Sequence, residues 1–320
     1  MKKLFVLMTL AAAFGLMPFQ NTFVFAAEGG VGHYVPGAFA DFGDLAPPES
    51  GWAVLDWYNH YNGSAGANKT IPVSGHITAN LHSTSNAEML GAQYTFPCSI
   101  LNGKYSAAVI APYIWVNTTG AVTGPFGRLT RADSTSGIGD ITMIPFWLHW
   151  ASGEFSWGVQ LDVYAPTGDY NTGQLANAGL NFWTFEPLVS VSYISKKIGL
   201  EVTTTAGLDF NTNNNATDYQ SGDVFHFDTT IAEHLPFFGC GTIGAGINGY
   251  YWKQFTGDSG SGAKLGSFET LMTGVGPVLS YISPQFCGHT IVAELKWLPQ
   301  MDTHYTLNGD YIWFKVALLF

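Results

Sequence analysis

The feature that most constrains this chain is an apolar–polar alternation of period two, which recurs in segments of about ten residues. In "FSWGVQLDVY", Phe155, Trp157, Val159, Leu161 and Val163 alternate with Ser156, Gly158, Gln160, Asp162 and Tyr164. "GLEVTTTAGLDFN" sets Leu200, Val202, Ala206, Leu208 and Phe210 against Glu201, Thr203, Thr205, Asp209 and Asn211. The same alternation separates Phe225, Phe227 and Ile231 from His226, Asp228, Thr230 and His234, and Ile291, Leu295 and Trp297 from Glu294 and Lys296. "YIWFKVALLF" repeats it, with Ile312, Phe314, Val316, Leu318 and Phe320 on one side and Tyr311, Trp313 and Lys315 on the other. Period two assigns the two sets to opposite faces of a strand. Ten residues is the length a tilted strand needs to cross a bilayer. The apolar run ending in Phe320 is expected to close a sheet on itself.

Composition decides between a soluble sheet and a membrane one. Charged residues make up 11% of the chain, where a soluble domain carries about 25%. The start reads as an export signal: Lys2 and Lys3, the apolar "LFVLMTLAAAFGLM", and "VFA" before Ala27. A signal peptide over residues 1–26, cleaved on export to the outer membrane of a Gram-negative bacterium, is expected. No later run of about 20 apolar residues exists to make a helical span. With helices excluded, a closed barrel is the spanning structure that satisfies its own backbone. The formal net charge of −11 makes the chain a poor partner for nucleic acid, and none is expected.

Connections alternate in length. "LNGK", "ASGE", "SKKIG", "PFFGCG" and "QFCGH" are short, whereas polar stretches near 62–71, 118–135, 166–180, 213–222, 256–263 and 300–308 are long. This predicts an all-β, transmembrane, antiparallel up-and-down barrel of about twelve strands over residues 52–320. Trp52, Trp57, Trp147, Trp150, Trp157, Trp183, Trp297 and Trp313 fall near strand ends and are expected in the interfacial aromatic girdles. Residues 27–51 lack strand or helix periodicity but carry Tyr34, Phe39 and Phe42, which suits a segment folded into the lumen as a partial plug. Cys98, Cys240 and Cys287 have no metal-ligand spacing. They are read either as inert thiols or with Cys240 and Cys287 paired.

The inward sets offer Asp56, Asp140, Asp162, Glu186, Glu201, Asp209, His226, Asp228, Glu269 and Glu294 against Lys296 and Lys315 as lumen residues. A lumen lined this way opposes anion selectivity, which calls for rings of Arg or Lys. His60, His226 and His234 have acidic neighbours in Asp56, Asp228 and Glu233. No serine motif accompanies them, so polar networks and not a catalytic triad are expected. "GTIGAGING" matches G-x-G-x-x-G but runs on as a strand, which excludes a dinucleotide fold. No catalytic residue, cofactor or metal is expected.

The motifs "EGGVGHYVPG", "LAPPESG", "SGIGDITMIPFWLHW", and "APTGDYN" followed by "LNFWTFEPLVSVSY" occur in this order over most of the chain. Together they resemble the outer-membrane family named for the meta-cleavage pathway of phenol degradation. The resemblance implies a channel for passive uptake of small hydrophobic, aromatic compounds, with outer-membrane lipid and such solutes as partners. An outer-membrane lipid-modifying enzyme and a structural or adhesive barrel are the alternatives. The sequence leaves the oligomeric state open.

Overall fold

The computed structural model describes residues 31–40, 50–66, 70–73, 76–124, 127–264, 266–286 and 288–320. The signal peptide expected over 1–26, Phe42 and Cys287 lie outside the described residues. The strands are β1 (Gly51–Ser64), β2 (Thr70–Val73), β3 (His76–Ala79), β4 (His82–Ile100), β5 (Gly103–Gly124), β6 (Gly127–Ile138), β7 (Ile141–Ser152) and β8 (Phe155–Ala165). They continue with β9 (Thr184–Ile194), β10 (Leu200–Asn211), β11 (Val224–Pro236), β12 (Thr242–Gln254), β13 (Leu271–Ile282), β14 (Thr290–His304) and β15 (Asn308–Leu319).

Strands β2 and β3 pair only with each other, as a hairpin in the connection from β1 to β4. Strands β6 and β7 lie end to end along β5, β6 from Gly124↔Gly127 to Tyr113↔Ile138 and β7 from Ile110↔Thr142 to Lys104↔His149. They form one stave broken at Gly139–Asp140. The sheet therefore has twelve staves, all antiparallel, and β1 closes it on β15 from Ala53↔Leu319 to Ser64↔Asn308. Closure removes both edges, so every stave finds two partners. At the short-turn end, Leu101 and Asn102 take φ values of 51° and 63°, the two positive angles that a two-residue hairpin of matching twist requires.

Two stretches expected as loops are strand. The region 118–135 is mostly a hairpin, since β5 and β6 stay paired to Gly124↔Gly127. Its β-branched Thr118 and Thr119 favour extended backbone. Residues 300–304 belong to β14 as well, paired with β13 up to Leu271↔His304.

Burial alternates along the staves, as in β9 and β10. Leu90, Val189, Val191, Ile247, Leu279, Leu295 and Phe314 lie on the exposed outer face. Rings pair at both rims: Trp52 with Tyr94, Phe96 with Tyr105 and Phe155 with Tyr193 at the short-turn end, Tyr113 with Trp115 and Trp183 with Phe185 at the long-loop end. Trp57, Trp147 and Trp313 are not in these girdles. Their parity puts them on the inner face, and all three are buried. Trp252, whose side the sequence leaves open, is buried as well.

Candidate functional site

The lumen is asymmetric. Strands β8 to β11 present Asp162, Glu186, Asp209 and His226 on the inner wall, and β14 and β15 present Glu294, Lys296 and Lys315. Residues 31–40 pass between these walls, held by groups from both. Lys296 Nζ donates to the carbonyl oxygens of Gly37 (2.9 Å) and Phe39 (3.1 Å), and Lys315 Nζ donates to that of Ala38 (2.9 Å). Trp313 Nε1 donates to Pro36 O at 2.9 Å, and the Gly37 amide donates to Asp228 Oδ1 at 3.0 Å. Glu294 Oε1 sits 3.2 Å from both ammonium groups. These are register neighbours, Glu294 facing Lys315 across β14 and β15. The sharing leaves each lysine free to give its remaining protons to backbone carbonyls.

Gly37 has φ +86°, and a Cβ there would fall 2.3 Å from Leu298 Cδ1. Backbone conformation and space both demand glycine. Tyr34 lies flat on His226, with ring centroids 3.7 Å apart and planes 15° from parallel. His33 stacks on Tyr164 at 4.9 Å, and its ring nitrogens contact Thr184 Oγ1 (2.7 Å) and Asp140 Oδ2 (3.0 Å).

Asp140 occupies the break between β6 and β7. Its oxygens also accept the amides of Gly168 (2.9 Å) and Leu180 (2.6 Å). It thus organises the connection between β8 and β9, which folds over the barrel mouth and buries Leu175, Ala176 and Ala178. Gly168 and Gly179 meet back to back there, where a Cβ on either would clash with the other's backbone. Beneath that connection lies a cavity of about 330 Å³, bounded by residues 31–40 and the inner faces of β1, β4 and β5. Met89, Ile110, Ile114, Val116 and Leu175 line it, with Trp57, Tyr311 and Trp313 at its base and Asn59, Asp140 and His33 supplying polar atoms.

Most of the residues expected in the lumen are brought together here: Asp140, Asp162, Glu186, Glu201, Asp209, His226, Asp228, Glu294, Lys296 and Lys315 are all buried, as are Tyr34 and Phe39. Two are elsewhere. Asp56 lies on the outer face, because the inner residues of β1 are Ala53, Leu55, Trp57, Asn59 and Tyr61. It is part of an outward polar strip in which Tyr58 donates to Asn86 Oδ1 at 2.7 Å and His60 Nδ1 lies 2.8 Å from that oxygen. Glu269 precedes β13 in the connection from β12, half-buried between the buried Phe268 and Thr270. The register of β13 begins only at Leu271, so alternation read through Glu269 had no strand beneath it.

The histidine partners also differ from their sequence neighbours. His226 meets Glu186 and Asp209 across strands, not Asp228. His234 meets Glu201 at 2.6 Å, not Glu233. Cross-strand contact outranks proximity in sequence because neighbours along a strand point to opposite faces or lie two residues apart. His33, Tyr164 and Gly37 escape the sequence reading. His33 and Gly37 belong to a segment without periodicity, and Tyr164 signals nothing until its register partners are known.

A closed barrel with an apolar outer band, aromatic rims and a polar, filled interior has the architecture of an outer-membrane β-barrel. The chain belongs to the family described as "Putative MetA-pathway of phenol degradation", whose model matches residues 63–316. The COG4313 outer membrane channel from Pseudomonas putida F1 has a similar fold, with a TM-score of 0.59 at 14% identity over 90% of this chain and 100% of that one. The β domain of the Bordetella autotransporter BrkA aligns with a TM-score of 0.49 at 9% identity, over 85% of this chain and 100% of that one. No curated protein matches the chain in sequence.

Proposed function

We propose that this protein is a channel for passive uptake of small hydrophobic, aromatic compounds, narrowed by its N-terminal segment. The observation that carries this reading is the apolar cavity of about 330 Å³ between residues 31–40 and the β1–β4–β5 wall. Its volume falls at the low end for small-molecule sites, which suits a single-ring solute. Aliphatic and aromatic side chains supply most of its surface, and among its polar side chains Asp140, His33 and Asn59 offer a phenolic hydroxyl hydrogen-bond partners. The family's description adds phenol degradation as context. With residues 31–40 in place the remaining water path is narrow, and residual ion flow should favour cations because lumen carboxylates outnumber lysines. Passive passage calls for no cofactor and no catalytic residue.

Filling the cavity tests the reading. Ile114→Trp should lower accumulation of a labelled monoaromatic by intact cells several-fold, while the purified variant still shows the faster gel migration of an unboiled barrel. Unchanged accumulation in a folded I114W protein would overturn the proposal.

A further inference from the structure

Register brings three ligand-type side chains together on adjacent staves. His226 Nε2 lies 2.9 Å from Glu186 Oε1 and 3.2 Å from Asp209 Oδ1. One donor atom from each of the three lies within 4.8 Å of the others. All three side chains are almost completely buried, with no more than 1% of each residue exposed. Both contacts lie within ion-pair distance of a protonated imidazole, but neither has the angles of a well-formed hydrogen bond. Among the described residues, Glu186 Oε1, both oxygens of Asp209 and both ring nitrogens of His226 have no hydrogen-bond partner. Leaving so many buried polar atoms unmatched is costly, several kcal/mol for an ionised group.

Local charge makes the deficit larger. Asp162 faces Glu186 in register, and its Oδ2 also lacks a hydrogen bond among the described residues. Three carboxyl groups therefore share one imidazole. The ammonium groups of Lys296 and Lys315 are engaged with Glu294 and the carbonyls of residues 37–39. A divalent cation would supply both the missing charge and the missing partners.

We propose that Glu186, Asp209 and His226 form a site for a divalent metal ion, of the zinc class, in the lumen wall. Metal bonds of about 2.0–2.2 Å in a tetrahedral shell set donor atoms about 3.3–3.5 Å apart, close to the separations around His226. One imidazole with two carboxylates suits borderline first-row ions, whereas calcium and magnesium take oxygen shells. The surroundings support the donors. Tyr164 donates to Glu186 Oε2 at 2.6 Å, which leaves Oε1 turned to the imidazole, the orienting contact that metal carboxylates commonly have. Gly207 faces His226 in register, and a Cβ there would fall 2.5 Å from Nε2, so glycine keeps the donor atom clear. Tyr34 covers the ring from the lumen side.

The test uses the full-length protein folded in detergent, stripped with chelator and then dialysed against zinc. Wild type should retain about one zinc per chain, and His226→Gln and Glu186→Gln should each weaken binding at least tenfold while keeping heat-modifiable migration. Cobalt(II) loaded into wild type gives a readout that needs no variant: its X-ray absorption should show one imidazole and an otherwise oxygen shell. Failure of wild type to retain zinc, undiminished binding in folded H226Q, or a cobalt shell without imidazole would each overturn the site. Binding that persists in H226Q would belong to exposed groups such as the His304–Asp302 pair.

Discussion

Lys296 donates its ammonium to the carbonyl oxygen of Gly37 at 2.9 Å, a contact between residues 259 positions apart that ties the N-terminal segment to the barrel wall. Lys296 is fully buried, and its ammonium also contacts Phe39 O and Glu294. Removing it leaves Glu294 paired with Lys315. Lys296→Met therefore takes away the two carbonyl contacts without stranding a carboxylate. It should leave the barrel folded, release residues 31–40, and raise single-channel conductance in planar bilayers. Unchanged conductance would show that the segment does not narrow the path.

Gly37→Val acts on the same segment without touching a charge. The added atoms collide with Leu298 and Trp313, and the backbone angle is unfavourable for a β-branched residue. Conductance should rise as in Lys296→Met, with heat-modifiable migration unchanged. If conductance stays at the wild-type level, the segment tolerates the side chain and its seat is looser than the geometry implies.

Facing can be tested by a pair of opposite changes. Leu295 is on the exposed outer face, and Leu295→Arg should cost about 2–4 kcal/mol if the site is mid-membrane. Asp56 and Glu88 lie on the outer face of β1 and β4, where lipid contact penalises a carboxyl group less than an Arg. Asp56→Leu and Glu88→Leu should therefore each stabilise the barrel, by about 1 kcal/mol. Unfolding in urea with lipid vesicles measures both. Destabilisation by the leucines would mean that this strip is covered by protein or water, not lipid.

Asp218 links two long connections. Its carboxylate accepts from Ser261 Oγ (2.6 Å), Ser261 N (3.2 Å) and Asn213 Nδ2 (3.3 Å). These bonds, the Ser261 hydroxyl first, hold its pKa below the usual carboxylate range. A lowered value in the folded state means that the tie is complete above the ordinary carboxyl pKa of about 4 and is lost as pH falls through the lower folded value. Proteolytic nicking of residues 213–222 should increase only at such acid pH in wild type. In Asp218→Asn it should be high at neutral pH as well. Equal nicking of the two proteins at pH 7 would remove the tie.

How much was legible in the sequence follows from what each signal depends on. The alternation in "FSWGVQLDVY" and "YIWFKVALLF" specifies strand and facing locally, because period two is a property of one strand and one apolar solvent. It therefore determined the inward positions of Asp162, Asp209, His226, Glu294, Lys296 and Lys315, while low charge and alternating connection lengths pointed to the antiparallel barrel. It misled where no membrane-facing apolar set anchored the parity, as at Asp56 on a strand whose outer face is itself polar. It failed where no strand existed, as at Glu269. The meeting of Glu186, Asp209 and His226 was decided only by tertiary structure. Inter-strand register and barrel closure, neither written in any single segment, bring three residues from separate strands within reach. The seat of Gly37 was decided the same way, since its partners Asp228, Lys296 and Trp313 converge only once twelve staves have closed around it.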